Sequence, residues 1–108
     1  MSDAESRLDG SEVTVEVLTW VNRLVGGSGS GSVAFREALE PDDSVESLLR
    51  RFSQHHPALH AQLWERDGAI TENLHVLVNH KMIGDTHTLR SRLAPGDTVS
   101  LLGQFSGG

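Results

Sequence analysis

The sequence contains no cysteine, which excludes disulfide bonds, thiolate metal ligands and a thiol nucleophile of the chain's own. No apolar run approaches the ~18 residues of a membrane-spanning helix, and the first residues are polar and acidic, so we expect neither a transmembrane helix nor a secretory signal. Basic residues are also few: 9 Lys and Arg stand against 15 Asp and Glu, giving a net charge of -6. Phosphate backbones repel such a chain. These absences predict a cytoplasmic protein that binds neither nucleic acid nor a membrane.

The length and composition predict one folded domain with an extension at each end. The chain has 108 residues, of which 37% are hydrophobic, and 11 are glycine, an ordinary globular composition. Residues 1–11 are polar and show no periodicity, so we expect a disordered N-terminal arm. The domain is predicted to span residues 12–103, and residues 104–108 to form a flexible tail that ends in Gly-Gly.

Alternating apolar residues predict two strands at the start of the domain. Val13, Val15 and Val17 alternate with other residues, and Val33 and Phe35 repeat the pattern. We expect these two strands to pair antiparallel. Between them, residues 26–32 contain only glycine and serine, a composition typical of a flexible loop.

A helix is predicted over residues 44–54. Asp43 and Glu46 have the spacing of a capping box, and Ser44 is a competing N-cap. The i, i+3, i+4, i+7 spacing places four apolar residues on one face: Val45, Leu48, Leu49 and Phe52. Pro57 breaks or kinks this helix, and the apolar residues after it indicate another turn or two.

The second half of the chain predicts two more strands. One is carried by Leu74, Val76 and Val78, and it ends at Asn79 and His80, where asparagine favours a tight turn. The last strand contains Val99 and Leu101. The resulting β-β-α-β-β order predicts an α+β domain in which a small mixed sheet packs on one main helix.

Three motifs follow one another towards the end of the chain. A strand ends in Val78 and Asn79, a segment from Leu93 to the Gly96-Asp97 pair leads into the last strand, and the sequence closes on Gly107-Gly108. Together they resemble the ubiquitin-like β-grasp sulfur carriers, the family of the small subunit of molybdopterin synthase (MoaD) and the thiamine sulfur carrier (ThiS). The element order extends this resemblance to residues 13–108. Many such carriers have prolines just before the Gly-Gly, whereas residues 102–106 of this chain contain none.

The resemblance implies a carrier that is not an enzyme and binds no cofactor itself. Gly108 would be adenylated by an E1-like activating enzyme that uses ATP and Mg, and then converted to a thiocarboxylate for sulfur transfer to a cofactor-building enzyme or a tRNA. Glycine at positions 107 and 108 has no Cβ and would thread a narrow channel. With nothing after Gly108, we expect the tail to be in its reactive form. The alternative is a ubiquitin-like modifier, joined through Gly108 to target lysines by a conjugating enzyme and removed by a deconjugating protease. A third hypothesis is a non-reactive β-grasp binding module.

The same strand alternation places apolar residues on the sheet face away from the helix, and such a patch is typical of partner docking. Its members are Leu18, Trp20, Leu77 and Leu102, with Phe105 in the tail. For Trp20 the alternative is a position at a strand end, folded over the rim of the core.

Few other residues are candidates for chemistry. Lys81 is the only lysine, so self-conjugation would use it or the N-terminus. His56 and His60 have a spacing that holds metal on a helix, but Pro57 lies between them and no third ligand is evident, so we expect no metal site. No nucleophile elbow or other catalytic constellation occurs, so we expect no catalytic residue.

Overall fold

The computed structural model describes residues 12–83 and 88–103, so the predicted arm and tail lie outside the described residues. The strands are β1 (Glu12–Leu18), β2 (Ser32–Ala38), β3 (Leu74–Val78), β4 (Lys81–Met82) and β5 (Thr98–Gly103). A 3-10 helix (Thr19–Val25) follows β1. Two α-helices, α1 (Val45–Gln54) and α2 (Pro57–Leu63), connect β2 to β3.

The strands form one mixed sheet in the order β2-β1-β5-β3-β4. The β1–β2 pair is antiparallel, as predicted, and so are β3–β5 and β3–β4. In the centre of the sheet β1 and β5 run parallel, with Leu18 opposite Leu102. The predicted α+β architecture, a mixed sheet with one main helix, is therefore confirmed.

The prediction of four strands is wrong by one, because it omitted β4. This strand has only two residues, too few for an alternating pattern to show. Asn79 and His80 both have positive φ, 52° and 72°, and form the predicted tight turn that folds β4 back onto β3. Two consecutive residues with positive φ form a turn whose twist matches that of the paired strands in a hairpin.

Asn79 and Asp97, which belong to two separate motifs of the sequence, meet at one end of the sheet. The Asn79 amide donates to the Asp97 carboxylate at 3.0 Å and accepts from the Thr98 N–H at 2.9 Å. The other Asp97 oxygen accepts from the Ala94 N–H at 2.8 Å. These bonds fix the entry into β5 against the β3–β4 turn, so both motifs stabilise the fold at the sheet end opposite Gly103.

The predicted apolar face of α1 is buried in the core. Val45, Leu48, Leu49 and Phe52 are each 0% exposed and pack with the inward residues of β1, β3 and β5. At roughly 1.5–3 kcal/mol for each buried side chain, this face supplies much of the stability of the domain. Pro57 ends the first helix as predicted, and α2 adds buried Leu59 and Leu63.

The capping residues of α1 differ from the Asp43–Glu46 prediction. Ser44 is the N-cap, and it exchanges hydrogen bonds with Ser47 in a reciprocal capping box. Asp43 is turned away from this role because its carboxylate accepts two hydrogen bonds from Arg51, at 2.7 and 3.1 Å. The Ser47 hydroxyl and the Glu40 N–H donate to the same carboxylate.

Acidification is expected to weaken the fold through Asp43, which is only 4% exposed. Burial alone would raise the pKa of Asp43, but the hydrogen bonds from Arg51 and Ser47 outweigh it and lower the pKa to about 2. Since the unfolded chain binds this proton near pH 4, the stabilisation is complete above that pH and is lost as the pH falls towards 2. We expect urea titrations between pH 5 and pH 2 to show a loss of about 2 kcal/mol from this group.

The variants Asp43→Asn and Asp42→Asn separate this effect from general acid unfolding. Asp43→Asn is expected to flatten the pH dependence of the free energy of unfolding in this range. Asp42 pairs with Arg92, but both side chains are more than 70% exposed, so Asp42→Asn serves as the control with an unchanged slope. Equal slopes in the wild type and Asp43→Asn would contradict the assignment.

Candidate functional site

The last strand leaves the sheet beside the end of the first one. Leu102 lies opposite Leu18 of β1 on one side and His75 of β3 on the other, and Gly103 lies opposite Leu74. Five residues follow Gly103, and the last of them is Gly108. Phe105, Gly107 and Gly108 are outside the described residues, so the structure places the point from which the tail departs.

Three of the predicted docking residues share the face of the sheet away from α1. Leu18, Leu77 and Leu102 alternate with core residues along their strands, and each is half-buried. Leu18 and Leu102 are adjacent in register, and Leu77 lies on β3 opposite Ser100. We call these residues the outer-face leucines. Their role in docking stays a prediction.

Glu16 and Ser100 lie beside the outer-face leucines, and neither was predicted from the sequence to belong to the site. They are opposite each other on β1 and β5, and the Ser100 hydroxyl donates to the Glu16 carboxylate at 3.1 Å. Ser100 is only 1% exposed although it is on the outer face. The outer face therefore combines the three leucines with polar residues, among them the Glu16 carboxylate beside the leucines.

Trp20 does not lie on the outer face, although its role in docking stays a prediction. β1 ends at Leu18, so Trp20 lies in the 3-10 helix, where strand alternation no longer applies. A Cβ built on Gly103 would overlap the Nε1, Cε2 and Cζ2 atoms of the Trp20 indole. Since Gly103 is in phase with the core residues Val99 and Leu101, the indole lies on the core side of the sheet rim. This is the alternative position considered for Trp20.

The glycine-serine loop over residues 26–32 is held by Asn22, whereas its composition predicted a flexible loop. The fully buried Asn22 amide donates to the Ser30 carbonyl at 3.0 Å and accepts from the Gly29 N–H at 2.6 Å. Gly27 packs so closely that a Cβ would lie 2.7 Å from Asn22 Oδ1. The hydrogen bonds of the Asn22 side chain therefore hold a loop whose own residues have small side chains or none.

Asn22→Ala is expected to destabilise the protein by about 1–3 kcal/mol, because it removes two hydrogen bonds that the fully buried Asn22 amide makes to the loop, each contributing about 0.5–1.5 kcal/mol. Thermal unfolding measures the loss, and amide hydrogen exchange should rise at Gly29. Asn73→Ala is the matched control, since Asn73 is exposed and should change stability by less than ~0.5 kcal/mol. Slow exchange at Gly29 in Asn22→Ala would refute this account of the loop.

The two histidines with metal-ligand spacing have different neighbours. His56 packs against the rings of Phe35 and Phe52, with centroids 5.1 and 4.7 Å away. His60 Nδ1 lies 2.9 Å from the Ser53 hydroxyl, which also accepts from the Trp64 indole N–H. In residues 12–83 and 88–103 no three His, Cys, Asp or Glu residues are grouped to hold a metal.

Lys81 is exposed at the beginning of β4, where a modifying group has access. Its surroundings give it no further role in the site. In the described part of the chain, no helix combines the length and the apolar character needed to cross a membrane.

The central parallel β1–β5 pair, the antiparallel strands beside it and the helix crossing one face define a ubiquitin-like β-grasp fold. The model of the ThiS family matches residues 30–108, and the chain belongs to this family. Its members are carriers of the ThiS, MoaD and small-archaeal-modifier type, and they are substrates of activating enzymes and not enzymes themselves.

Solved structures agree with this family assignment. The crystal structure of SAMP1 from Haloferax volcanii is 27% identical, with a TM-score of 0.65, covering 88% of this chain and 99% of that one. A second solved structure is the crystal structure of the Amycolatopsis orientalis BexX/CysO complex. Its matched chain is 25% identical to this one, with a TM-score of 0.67. That match covers 89% of this chain and 99% of the other. Among curated proteins, none matches this chain.

Proposed function

We propose that this protein is a sulfur carrier whose Gly108 carboxylate is activated by an E1-like enzyme and converted to a thiocarboxylate. The observation that carries the proposal is the ThiS family match, which continues past β5 to the Gly107-Gly108 pair. β5 is the last strand described before this pair, and it is pinned along its length between β1 and β3. A folded domain thus precedes a short segment that contains the two glycines.

The chemistry requires an activated carboxyl group, because a carboxylate cannot expel oxide at neutral pH. In the proposed reaction a Gly108 carboxylate oxygen attacks the α-phosphorus of ATP, and pyrophosphate leaves. A sulfide-equivalent donor then attacks the acyl carbon of the adenylate, and AMP leaves with the bridging oxygen. The product is the Gly108 thiocarboxylate. ATP and Mg belong to the activating enzyme in this scheme, and the carrier supplies only the carboxyl group.

The outer-face leucines are the proposed docking site for the activating enzyme. They lie on the sheet from which β5 leads to the tail, so one partner surface would contact Leu18 and Leu102 while its active site receives Gly108. Phe105 is proposed to add an apolar contact within the tail. The same partner class supports a cytoplasmic location, where ATP is available.

A second function, protein modification through Gly108, is favoured by one specific observation. The H. volcanii protein in the matching structure is called a small archaeal modifier protein, and this chain is 27% identical to its SAMP1 structure. In this alternative a conjugating enzyme joins Gly108 to target lysines, and a deconjugating protease reverses the bond. The exposed Lys81 would be the lysine for self-conjugation.

The test combines the purified protein with an E1-like activating enzyme of the same organism, ATP, Mg and sulfide. Intact mass spectrometry should first show a free Gly108 carboxylate and then one oxygen replaced by sulfur. For the modifier function, the reaction is repeated in cell extract and digested with trypsin. Because the last basic residue is Arg92, modified lysines should carry residues 93–108 as a remnant. Absence of pyrophosphate release with every such enzyme would refute both functions.

A further inference from the structure

Trp20 contacts the last residue of β5, and the contact leaves no room for a side chain there. A Cβ on Gly103 would overlap three atoms of the indole ring, so glycine is required for space. Trp20 is nevertheless 38% exposed. The indole therefore covers the rim of the core only in part, whereas its neighbour Val21 is fully buried. Covering the core does not by itself explain the close contact with Gly103.

The backbone before Trp20 is held in an unfavourable conformation that directs it towards β5. Thr19 has a φ of 54°, which is rare for a β-branched residue. Its N–H donates to the Gly31 carbonyl at 2.8 Å, and its hydroxyl donates to the Leu18 carbonyl at 2.7 Å. After Trp20, Val21 and Asn22 are fully buried. Such strain persists only where the surrounding structure enforces it, and it is often found at functional positions.

We propose that Trp20 is a positioning residue whose indole fixes the direction in which the chain leaves β5. Gly103 pairs with Leu74 of β3 but has no register partner on β1, where the pairing ends at Leu102. Glycine has the largest backbone freedom of any residue, so without the indole the chain could still rotate at this last, singly paired residue. Five further residues reach at most ~17 Å, and a rotation at their base therefore displaces Gly108 by many ångströms. The indole against Gly103 removes this freedom before a partner binds. The inference rests on the proposed activation of Gly108.

Removal of the Trp20 indole frees the backbone of Gly103. We expect the turnover of the activating enzyme to fall by about tenfold, because fewer docked complexes then hold the tail in the active site. Trp20→Ala should therefore reduce kcat for adenylation, while KM changes by less than about twofold since the outer-face leucines are intact. Trp20→Phe retains an aromatic ring and should recover most of kcat. The backbone order parameter of the Gly103 amide should fall in Trp20→Ala and recover in Trp20→Phe.

A double-mutant cycle with Gly103→Ala makes the test specific for this contact. Alone, Gly103→Ala pushes the indole aside and should lower both kcat and Tm. In Trp20→Ala/Gly103→Ala, the new methyl group occupies the vacated space and alanine is less free than glycine, so kcat should rise above that of Trp20→Ala. Asp42→Asn is the control, because Asp42 is exposed in the turn before α1 and pairs with Arg92, away from both Gly103 and the outer-face leucines. It should leave kcat and the Gly103 order parameter unchanged.

The outcomes distinguish this inference from the proposed function. A wild-type protein that no activating enzyme adenylates refutes the proposed function, and the positioning role with it. An active wild type with equal kcat in Trp20→Ala refutes the positioning role alone. A loss of kcat that merely follows Tm across the variants, without recovery in the double variant, assigns Trp20 a structural role and also overturns the inference.

Discussion

Deletion of Gly108 is expected to abolish adenylation, thiocarboxylate formation and conjugation together. The deletion withdraws the carboxyl group by one residue, roughly 3.5 Å, from the position at which ATP would be attacked. Since a misplacement of about 1 Å can cost on the order of 10²-fold in rate, the expected loss is at least that large. ATP–pyrophosphate exchange with the activating enzyme measures the first step, and intact mass spectrometry measures the sulfur product.

Extension of the chain by one tryptophan after Gly108 should have the same effect, because a bulky residue would block a channel shaped for glycine. Neither change touches the core, so both variants should unfold at the wild-type temperature. Lys81→Arg is the control: it removes the only lysine and should leave adenylation at the wild-type rate. Full activity in either terminal variant would eliminate the carrier and the modifier functions and leave a non-reactive binding module.

Leu49→Asp is expected to unfold the domain. Leu49 is fully buried in the centre of the α1 face, where a carboxylate would have no partner and no water. The loss of the leucine contacts and the burial of a charge together cost about 5 kcal/mol or more, which is comparable to the whole stability of a small domain. Circular dichroism should show no cooperative thermal transition at pH 7.

Gln54→Asp provides the matched control for Leu49→Asp. It introduces the same carboxylate into the same helix, but at an exposed position, so the expected change is below about 1 kcal/mol. The comparison separates burial of the charge from its effect on helix propensity. A Leu49→Asp protein with the wild-type melting temperature would show that this face of α1 does not form the core.

The long periodic elements were predictable because their signal is local. The alternation in β1 and the i, i+3, i+4, i+7 spacing in α1 each define a buried face without knowledge of the rest of the chain. A two-residue strand such as β4 carries no such pattern. The end of β1 was also not predictable, since Leu18 continues the alternation and the positive φ of Thr19 follows from contacts with the later Gly31.

The incorrect predictions for Asp43 and for the glycine-serine loop have one physical origin. In both, a side chain several positions away in the sequence forms the decisive hydrogen bonds. Aspartate is a favourable N-cap residue, but the Asp43 carboxylate binds Arg51, two helical turns later, and does not cap the helix. The glycine-serine loop has a flexible composition, yet the preceding Asn22 holds it. Asn22 is the one uncharged polar residue in residues 20–25, and this is the signal that would have indicated its role.

The outer face shows the same limitation for the candidate site. Alternation predicted the side of the sheet on which Leu18, Leu77 and Leu102 lie, but it did not identify their neighbours. Glu16 and Ser100 are 84 positions apart in sequence and adjacent only because β1 and β5 pair in parallel. Strand register across such a pair depends on the whole fold, so the contact between Glu16 and Ser100 could not be predicted from the sequence.

The parallel pairing of β1 with β5 also has a mechanical consequence. A force applied along the tail acts on β5 parallel to its own axis, while β1 and β3 hold it through five register pairs on each side. The hydrogen bonds of both ladders are then loaded in shear and must fail together, whereas a hairpin pulled from its open end separates one bond at a time. A motor that draws this protein in by its C-terminal end would therefore meet its greatest resistance at the first strand it must extract.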